Sequence, residues 1–342
     1  MSIQNTIAKV VDGHDLSTDE MIAAMRLIMT GEATPAQIGG FLVALKIKGE
    51  TIEEIAGAAQ VMRELSSKVE IDVPNMVDTC GTGGDGSNLF NVSTAGAFVV
   101  AAAGGHVAKH GNRSITSSTG SADVLETAGV NLDLTPEQVA KCIAEVGVGF
   151  MFAVKHHGAM KHAIGPRKEL GLRTIFNVLG PMTNPAGVKR QVIGVYDQSL
   201  CEPIAKALQQ LGSEHVMVVH ASDGLDEFTL AGETFVAELK DGVVTTYTIK
   251  PEDVGIETQS LDGLSVSSSD ESLALIRGAL SRQGTDISNK AADIIAYNAG
   301  AAIYVSGLSD DFKTGVALAQ DAIGSGLALG KLTELVEMSS CF

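Results

Sequence analysis

Apolar positions along the chain follow two different periods, and the change between them falls near residue 70. Up to residue 66 they recur every three or four positions, the spacing that lines one stripe of a helix. Three start signals divide this stretch: Ser17-x-x-Glu20, Thr34-x-x-Gln37 and Thr51-x-x-Glu54. In each, a hydroxyl and a carboxylate or amide three residues later satisfy each other's backbone N–H groups. Pro35 stands at a first-turn position and Gly49 at a stop. The pattern predicts a small all-helical unit with helices of about 12 to 15 residues and short turns.

Beyond residue 70 short β-type runs alternate with helical ones. Strands are expected at 75–79, 106–110, 148–153, 190–196 and 215–221, and helices at 93–103, 120–128, 136–146 and 200–211. Such alternation gives a mostly parallel sheet covered by helices. A hairpin follows, "ETFVAELKDGVVTTYTI", with Asp241-Gly242 at its turn. A capped loop at 264–272 leads to a helical tail over about 270–338. The fold class is therefore α/β, with a helical N-terminal domain ahead of a larger α/β domain. The length of 342 residues suits two domains.

Composition narrows the function. Apolar residues make up 45% of the chain, enough for a large core, and the 38 glycines follow no triplet period. The greasiest segment, "AGAFVVAAAGGHVA", is too short to span a bilayer, and the start has no basic region before an apolar one. The four cysteines are far apart and form no C-x-x-C, which suggests reduced thiols in the cytoplasm. Cys80 reads as a filler beside the glycine loop, since no His motif pairs with it. A net charge of −17 disfavours a general nucleic-acid or acidic-membrane binder. Any anionic substrate must then meet local positive charge.

"DTCGTGGDGSNLFNVSTAGAF" contains Gly81-x-Gly83-x-x-Gly86, the spacing of a dinucleotide loop. Its context argues against that reading. No helix opens at the third glycine, and the second strand ends in Lys109-His110 rather than an acid. The Walker pattern is absent as well. The loop still favours an anion, because dense glycine frees backbone N–H groups, and Asn91, Ser93 and Thr94 stand at a helix start. Next, "AKHGNRSITSSTGSADVLE" brings Lys109, Asn112 and Arg113 to one loop, with Ser121 opening a helix; together these could enclose a diphosphate. In "SDGLDEFTL", Asp223, Asp226 and Glu227 suit either a solvated acidic turn or, beside a diphosphate, Mg²⁺. "KHHGAMKHAIGPRKELGLRTIFNVLGPMTNPAG" contains no zinc-protease motif and, on its residues alone, reads as a charged helix and a proline-rich turn.

Taken together, "GTGGD", "FNVSTAGAFVVAAAGGHVAKHGNRS", "GSADVLE" and "RTIFNVLGPMTNPA" resemble the anthranilate phosphoribosyltransferase family of tryptophan biosynthesis. The N-terminal "DLSTDEMIAAMRLIMTGEATPAQIGGFLVALKIKGET" resembles its helical domain, so the similarity spans nearly the whole chain. The resemblance implies a nucleoside-phosphorylase-like architecture in which the helical domain is hinged to the α/β domain. Residues 1–70 would form the first, with helices at about 160–182 returning to it, and 71–342 the second. It implies transfer of phosphoribose from phosphoribosyl diphosphate (PRPP) to anthranilate, usually in a homodimer, with a pair of Mg²⁺ ions.

Carried over by matching position, Gly81, Thr82, Gly83, Gly84 and Asp85 would hold PRPP, completed by Asn91, Ser93, Thr94, Lys109, Asn112 and Ser121. Ser93, Asp226 and Glu227 would bind the metal. Gly81, His110, Asn112, His157, Arg167 and Gly180 would receive anthranilate, with Asn112 and Arg167 at its carboxylate. Ser118 departs from a common Lys and Gly158 from a common Pro. The amine of anthranilate is already a nucleophile, so no acid or base is assigned. The competing readings are a pyrimidine nucleoside phosphorylase of the same fold and a non-catalytic nucleic-acid-binding relative.

Overall fold

A computed structural model describes residues 2–114 and 117–342 of the chain. Four helices come first: α1 (Ile3–Val11), α2 (Thr18–Met29), α3 (Pro35–Lys48) and α4 (Ile52–Glu64). All three expected capping boxes form, with both reciprocal bonds in each. Caps of this kind stabilise by about 1 kcal/mol. Glu54 does more than cap α4. Its fully buried carboxylate also accepts from Leu16 N–H at 2.9 Å and from Lys48 Nζ at 3.0 Å, which ties the α1–α2 turn to the end of α3.

Seven strands follow: β1 (Met76–Gly81), β2 (His106–Gly111), β3 (Val148–Phe152), β4 (Arg190–Gly194), β5 (His215–Ala221), β6 (Thr234–Lys240) and β7 (Val243–Ile249). Their order in the sheet is β3-β2-β1-β4-β5-β6-β7. The first five run parallel; β6 and β7 are antiparallel additions, turning at Asp241 and Gly242, both at positive φ. Positive φ at both central residues is the two-residue hairpin turn that Asp-Gly favours. Every strand expected from the sequence is present to within a few residues.

Alternate residues of the strands face two separate cores. Met217, Val219 and Val236 pack with the helices Val92–Ala102 and Asp286–Ser306 on one side. Val216, Val218 and Leu239 pack on the other side with the helix Cys201–Gln210 and with α1–α4. The second core also takes in Ala163, Ile175, Phe176, Leu179 and Met182 from mid-chain. The four N-terminal helices thus share their core with the sheet. Arg63 at the end of α4 donates to the carbonyls of Met182 at 2.7 Å and Leu211 at 3.4 Å.

The chain builds outward from β1 to β2 and β3, then crosses back to place β4 on the other side of β1. In open parallel sheets such a reversal leaves a crevice outside the carboxyl ends of the strands, where ligands bind. Here those ends are Gly81 of β1 and Gly194 of β4.

Candidate active site

The crevice begins with a gap in the sheet. Residue pairing between β1 and β2 runs only through Met76–His106 and Val77–Val107. Past that point side chains take over. Asp78, fully buried, accepts His110 N–H at 3.2 Å. Asn184 donates to Asp78 Oδ2 at 2.7 Å and to the Ala108 carbonyl at 2.8 Å. Lys109 extends Nζ to the Thr79 carbonyl at 2.6 Å and to Ser93 Oγ at 3.3 Å. Burial pushes the Asp78 carboxyl up and the Lys109 ammonium down, and each opposes the other's shift. Lys109 is 2% exposed, so its charge is fixed at the base of the crevice rather than on the surface.

The glycine loop leaves β1 above this gap. Gly83, Gly84 and Gly86 all have positive φ, a backbone that other residues adopt at a cost. A Cβ at Gly81 would collide with the Asp226 carboxylate, and one at Gly194 with the Asp226 carbonyl. Those two glycines let the turn after β5 close over the loop, so that Asp226 Oδ2 accepts Gly83 N–H at 2.8 Å. Asp85 accepts from Ser87 Oγ at 2.6 Å. Thr82 Oγ1 accepts Tyr196 N–H at 3.1 Å. Asn91 stands at the N-cap of the helix Val92–Ala102 but does not cap it with its side chain. Its side chain is held by Ser272 Oγ at 2.8 Å and faces the Thr119 carbonyl at 3.4 Å. Thr94 Oγ1 is buried and has no partner among the described residues.

Asp226 and Glu227 are half-buried neighbours at the crevice. Burial, then the nearby Asp85 charge, raises Asp226 to about 6. Burial and Asp226 raise Glu227, while Lys109 opposes that rise. Neither forms an ion pair with a protein cation among the described residues. Among the same residues no three His, Cys, Asp or Glu side chains are grouped so that they could hold a metal ion by themselves. Asp223, grouped with the pair in the sequence, instead accepts from Thr229 Oγ1 at 2.6 Å and closes its own turn. Cys80 is a protonated thiol, pushed up by burial and by Asp78, which agrees with a filler.

On the β2 side the picture is apolar and neutral. His110 and His157 meet edge to face with centroids 5.0 Å apart. Burial first, then the neighbouring histidines, lowers them to about 3 and about 4. Both rings are neutral at pH 7, and the Nε2 of each is buried without a partner among the described residues. Gly180 lies against His110. Arg167, on the helix Lys161–Leu170, packs its guanidinium 5.2 Å from the Phe176 ring centroid. Burial pushes its guanidinium down from the usual range, and it forms no ion pair among the described residues. Phe176 opens the short helix that runs into Gly180, which links Arg167 to the histidines indirectly.

The loop after β2 departs from expectation at Arg113. Its guanidinium binds Glu126 at 2.7 Å and Asp123 at 3.0 Å and packs against Phe152, so it is no free cation for a diphosphate. Two acids three apart on the helix Ser121–Ala128 claim it, a pairing visible only once that helix is placed. Asn112 is exposed, and its carbonyl takes Ala122 N–H at 3.2 Å and Ser121 Oγ at 3.4 Å. Ser118 N–H donates to Asn88 Oδ1 at 3.0 Å, which joins this loop to the glycine loop. Sequence reasoning missed Asp78, Asn184 and Ser272. A buried Asp in an apolar strand was the one available signal.

Comparisons with known proteins place the chain in a family. Models described as the glycosyl transferase family helical bundle domain and a/b domain match residues 4–66 and 73–329. Anthranilate phosphoribosyltransferase of Hahella chejuensis is 67% identical over 342 residues, covering 100% of this chain and 99% of that protein. The Thermus thermophilus enzyme of the same name superposes with a TM-score of 0.92 at 42% identity, covering 98% and 99% of the two chains. The Saccharomyces cerevisiae enzyme, solved in complex with PRPP and Mg, gives 0.89 at 28% identity over 99% and 98%. Its complex with 4-fluoroanthranilate gives 0.88 at 26% identity over the same shares. With a gapped parallel sheet, a glycine loop at the strand-order reversal and full-length identity of this degree, the chain belongs to the anthranilate phosphoribosyltransferase family.

Proposed function

We propose that this protein transfers the phosphoribosyl group from PRPP to the amine of anthranilate, giving N-(5-phosphoribosyl)anthranilate and diphosphate. The observation that carries the reading is the two-sided chemistry of the crevice. One side has free loop N–H groups, a helix start, buried Lys109 and an acid pair. The other has two neutral histidines with unpartnered nitrogens and, beyond them, an arginine without a carboxylate. A sugar diphosphate suits the first side and an aromatic acid the second.

Gly81, Thr82, Gly83, Gly84 and Asp85, with Asn91, Ser93, Thr94, Lys109, Asn112 and Ser121, are assigned to PRPP. Lys109 and the N-terminus of Val92–Ala102 would hold the departing diphosphate. His110, His157 and Gly180, with Gly81, would enclose the anthranilate ring; Asn112 and Arg167 would meet its carboxylate. Because both imidazoles are neutral, they orient the ring without attracting its carboxylate away from Arg167.

Asp226, Glu227 and the Ser93 hydroxyl are oxygen donors, neither carboxylate forms an ion pair among the described residues although Lys109 lies near Glu227, and the set fits Mg²⁺. Such ions commonly take one or two protein carboxylates and complete their shell with substrate phosphates and water. When bound, Mg²⁺ supplies charge neutralisation to the leaving diphosphate. A pair of ions per subunit is the stoichiometry we assign.

The test is loss of anthranilate fluorescence on adding PRPP and Mg²⁺, against the low background of a chain without Trp. Turnover is expected; release of free base from thymidine or uridine with phosphate instead would assign the protein to the phosphorylase reading.

Replacing Arg167 should separate the substrates. A carboxylate left unpaired in a closed aromatic pocket is costly, and a charge-assisted bond is worth roughly 1.5–3 kcal/mol. Arg167→Ala should therefore raise the KM for anthranilate about 10- to 150-fold and leave the KM for PRPP nearly unchanged. Steady-state kinetics with each substrate varied in turn check this. A shift in the PRPP constant alone would reverse the assignment of the two sides.

We also assign a homodimer formed through the helical domain, residues 1–70 with 160–182, which would hinge against residues 71–342. Helix α3 is apolar on nearly every side, but only Ile38, Phe41, Leu42 and Leu45 are buried. Ala36, Gly40 and Ile47 form an exposed stripe on it, and Ile47 is 81% exposed. A helix apolar all round is normally covered. Ile47→Glu is expected to yield monomers by light scattering at micromolar concentration; a wild-type protein already monomeric there would refute the assignment. The four free cysteines fit a cytoplasmic enzyme. Among the described residues no helix is long and apolar enough to cross a membrane.

A further inference from the structure

The glycine loop is held from a direction that neither the acid pair nor the helix start explains. Arg173 lies in the turn between the helices Lys161–Leu170 and Phe176–Leu179 and is exposed. Its Nη2 donates to the carbonyl of Gly84, and its guanidinium carbon stands 4.1 Å from the centre of the Tyr196 ring. Tyr196 follows β4, and its own N–H donates to Thr82 Oγ1 at 3.1 Å. Thr82 N–H donates to the Gly194 carbonyl at 2.9 Å. Arg173 forms no ion pair among the described residues. Gly84 has φ +80°, and a Cβ there would approach Arg173 Nη2 to 2.9 Å.

The carbonyl and N–H of one planar trans peptide point in opposite directions. Fixing the Gly84 carbonyl toward Arg173 therefore turns the Asp85 N–H the other way. Gly83 N–H is already taken by Asp226. The N–H groups of Gly84, Asp85 and Gly86 have no acceptor among the described residues. Successive free N–H groups in a turn make an anion-binding concavity, but only while the peptides keep their orientation. Three glycines at positive φ in four positions give the loop many alternatives.

We infer that Arg173 is a positioning residue for the donor substrate: stacked on Tyr196, it clamps the Gly84 carbonyl so that the Asp85 N–H stays available to a phosphate oxygen. The mid-chain segment then carries two arginines with separate duties, Arg167 toward the acceptor and Arg173 toward the donor. Stacking on a ring while donating in the plane requires a flat guanidinium, which a lysine ammonium lacks. The inference rests on the assignment of the glycine loop to PRPP.

Steady-state kinetics on the full-length wild type, Arg173→Ala, Arg173→Lys and Tyr196→Ala test it. Arg173→Ala should raise the KM for PRPP about 5- to 20-fold, the loss of one charge-assisted bond at an exposed position. The anthranilate KM should stay within about twofold, and the unfolding temperature should not move, because Arg173 is exposed. Arg173→Lys should recover part of the loss, and Tyr196→Ala should move the same constant by less. If wild type turns over PRPP and anthranilate but both constants shift together, only the anthranilate constant shifts, or neither does, the role of Arg173 is overturned and the functional reading stands. Arg173→Lys behaving as wild type would remove the stacking argument. A wild type that does not use PRPP would overturn the functional reading and this inference with it.

Discussion

EDTA is expected to abolish turnover, and Asp226→Asn to lower kcat/KM about 100- to 1000-fold at a fixed Mg²⁺ concentration, part of which added Mg²⁺ restores. The magnitude is that of removing one preorganised group that stabilises transition-state charge. The substitution keeps an amide oxygen able to accept Gly83 N–H, so the loop contact survives. What it removes is a carboxylate whose charge is disfavoured by burial and by Asp85, and which in turn disfavours the charge on Glu227. The folded protein without metal should therefore be as stable as wild type or more so, since a strained charge has been deleted from the native state. The combination of lost activity and retained or raised unfolding temperature marks a functional acid. Full activity in metal-free buffer, or a variant that simply unfolds, would refute this account of the pair.

Gly194→Ala should be the most damaging methyl group that can be added to this site. Gly194 ends β4 and pairs in register with Gly81. Its Cβ position lies inside the space of the Asp226 carbonyl oxygen. The obstacle is backbone, with no flexible side-chain end to swing aside. Either β4 or the Asp226–Glu227 turn must move, and the Asp226 bond to Gly83 moves with it. Overpacking of this kind costs typically 1–3 kcal/mol, and a displacement of about 1 Å at reacting groups can cost 100-fold in rate. We expect kcat/KM to fall by about 100-fold or more, with a lower unfolding temperature. Gly330→Ala is the control: that glycine lies within the helix Leu327–Ser340 and has open space around its Cβ position. It should be neutral or stabilising by about 0.5–1 kcal/mol. Equal behaviour of the two variants would show that the Gly194–Asp226 approach has no consequence.

The secondary structure was largely legible from the sequence because its signals are local. A capping box places both of its partners within four residues, and Asp241-Gly242 needs only its own backbone to turn the hairpin. What stayed hidden was set by residues distant along the chain. Strand order was one case, because alternating strands and helices do not say that β4 returns to the far side of β1. Arg113 was another: its cationic loop context suggested a phosphate, but Asp123 and Glu126 reach it only when the helix Ser121–Ala128 folds back. Asp78 and Asn184 meet across 106 positions of sequence, and neither has a neighbouring residue that marks it. Ser272 holds Asn91 from a helix at the opposite end of the chain. Much of the site assignment came from the resemblance to a known family, while the residues that hold that site in place came from the fold.

The return of β4 to the far side of β1 also shapes how the chain must acquire its structure. A polypeptide emerging from the ribosome can pair β1, β2 and β3 early, but the other edge of β1 stays open until Arg190–Gly194 has been made. Helices α1–α4 wait on the same stretch, because their apolar faces close against Ala163, Phe176, Ile193 and Cys201. An unpaired strand edge and an uncovered helical face are the features that draw nascent chains into wrong partners. Synthesis of the segment from about residue 160 to 210 is therefore the step that covers the open edge of β1 and the exposed helical face together. A pause or truncation before it leaves both hazards exposed at once.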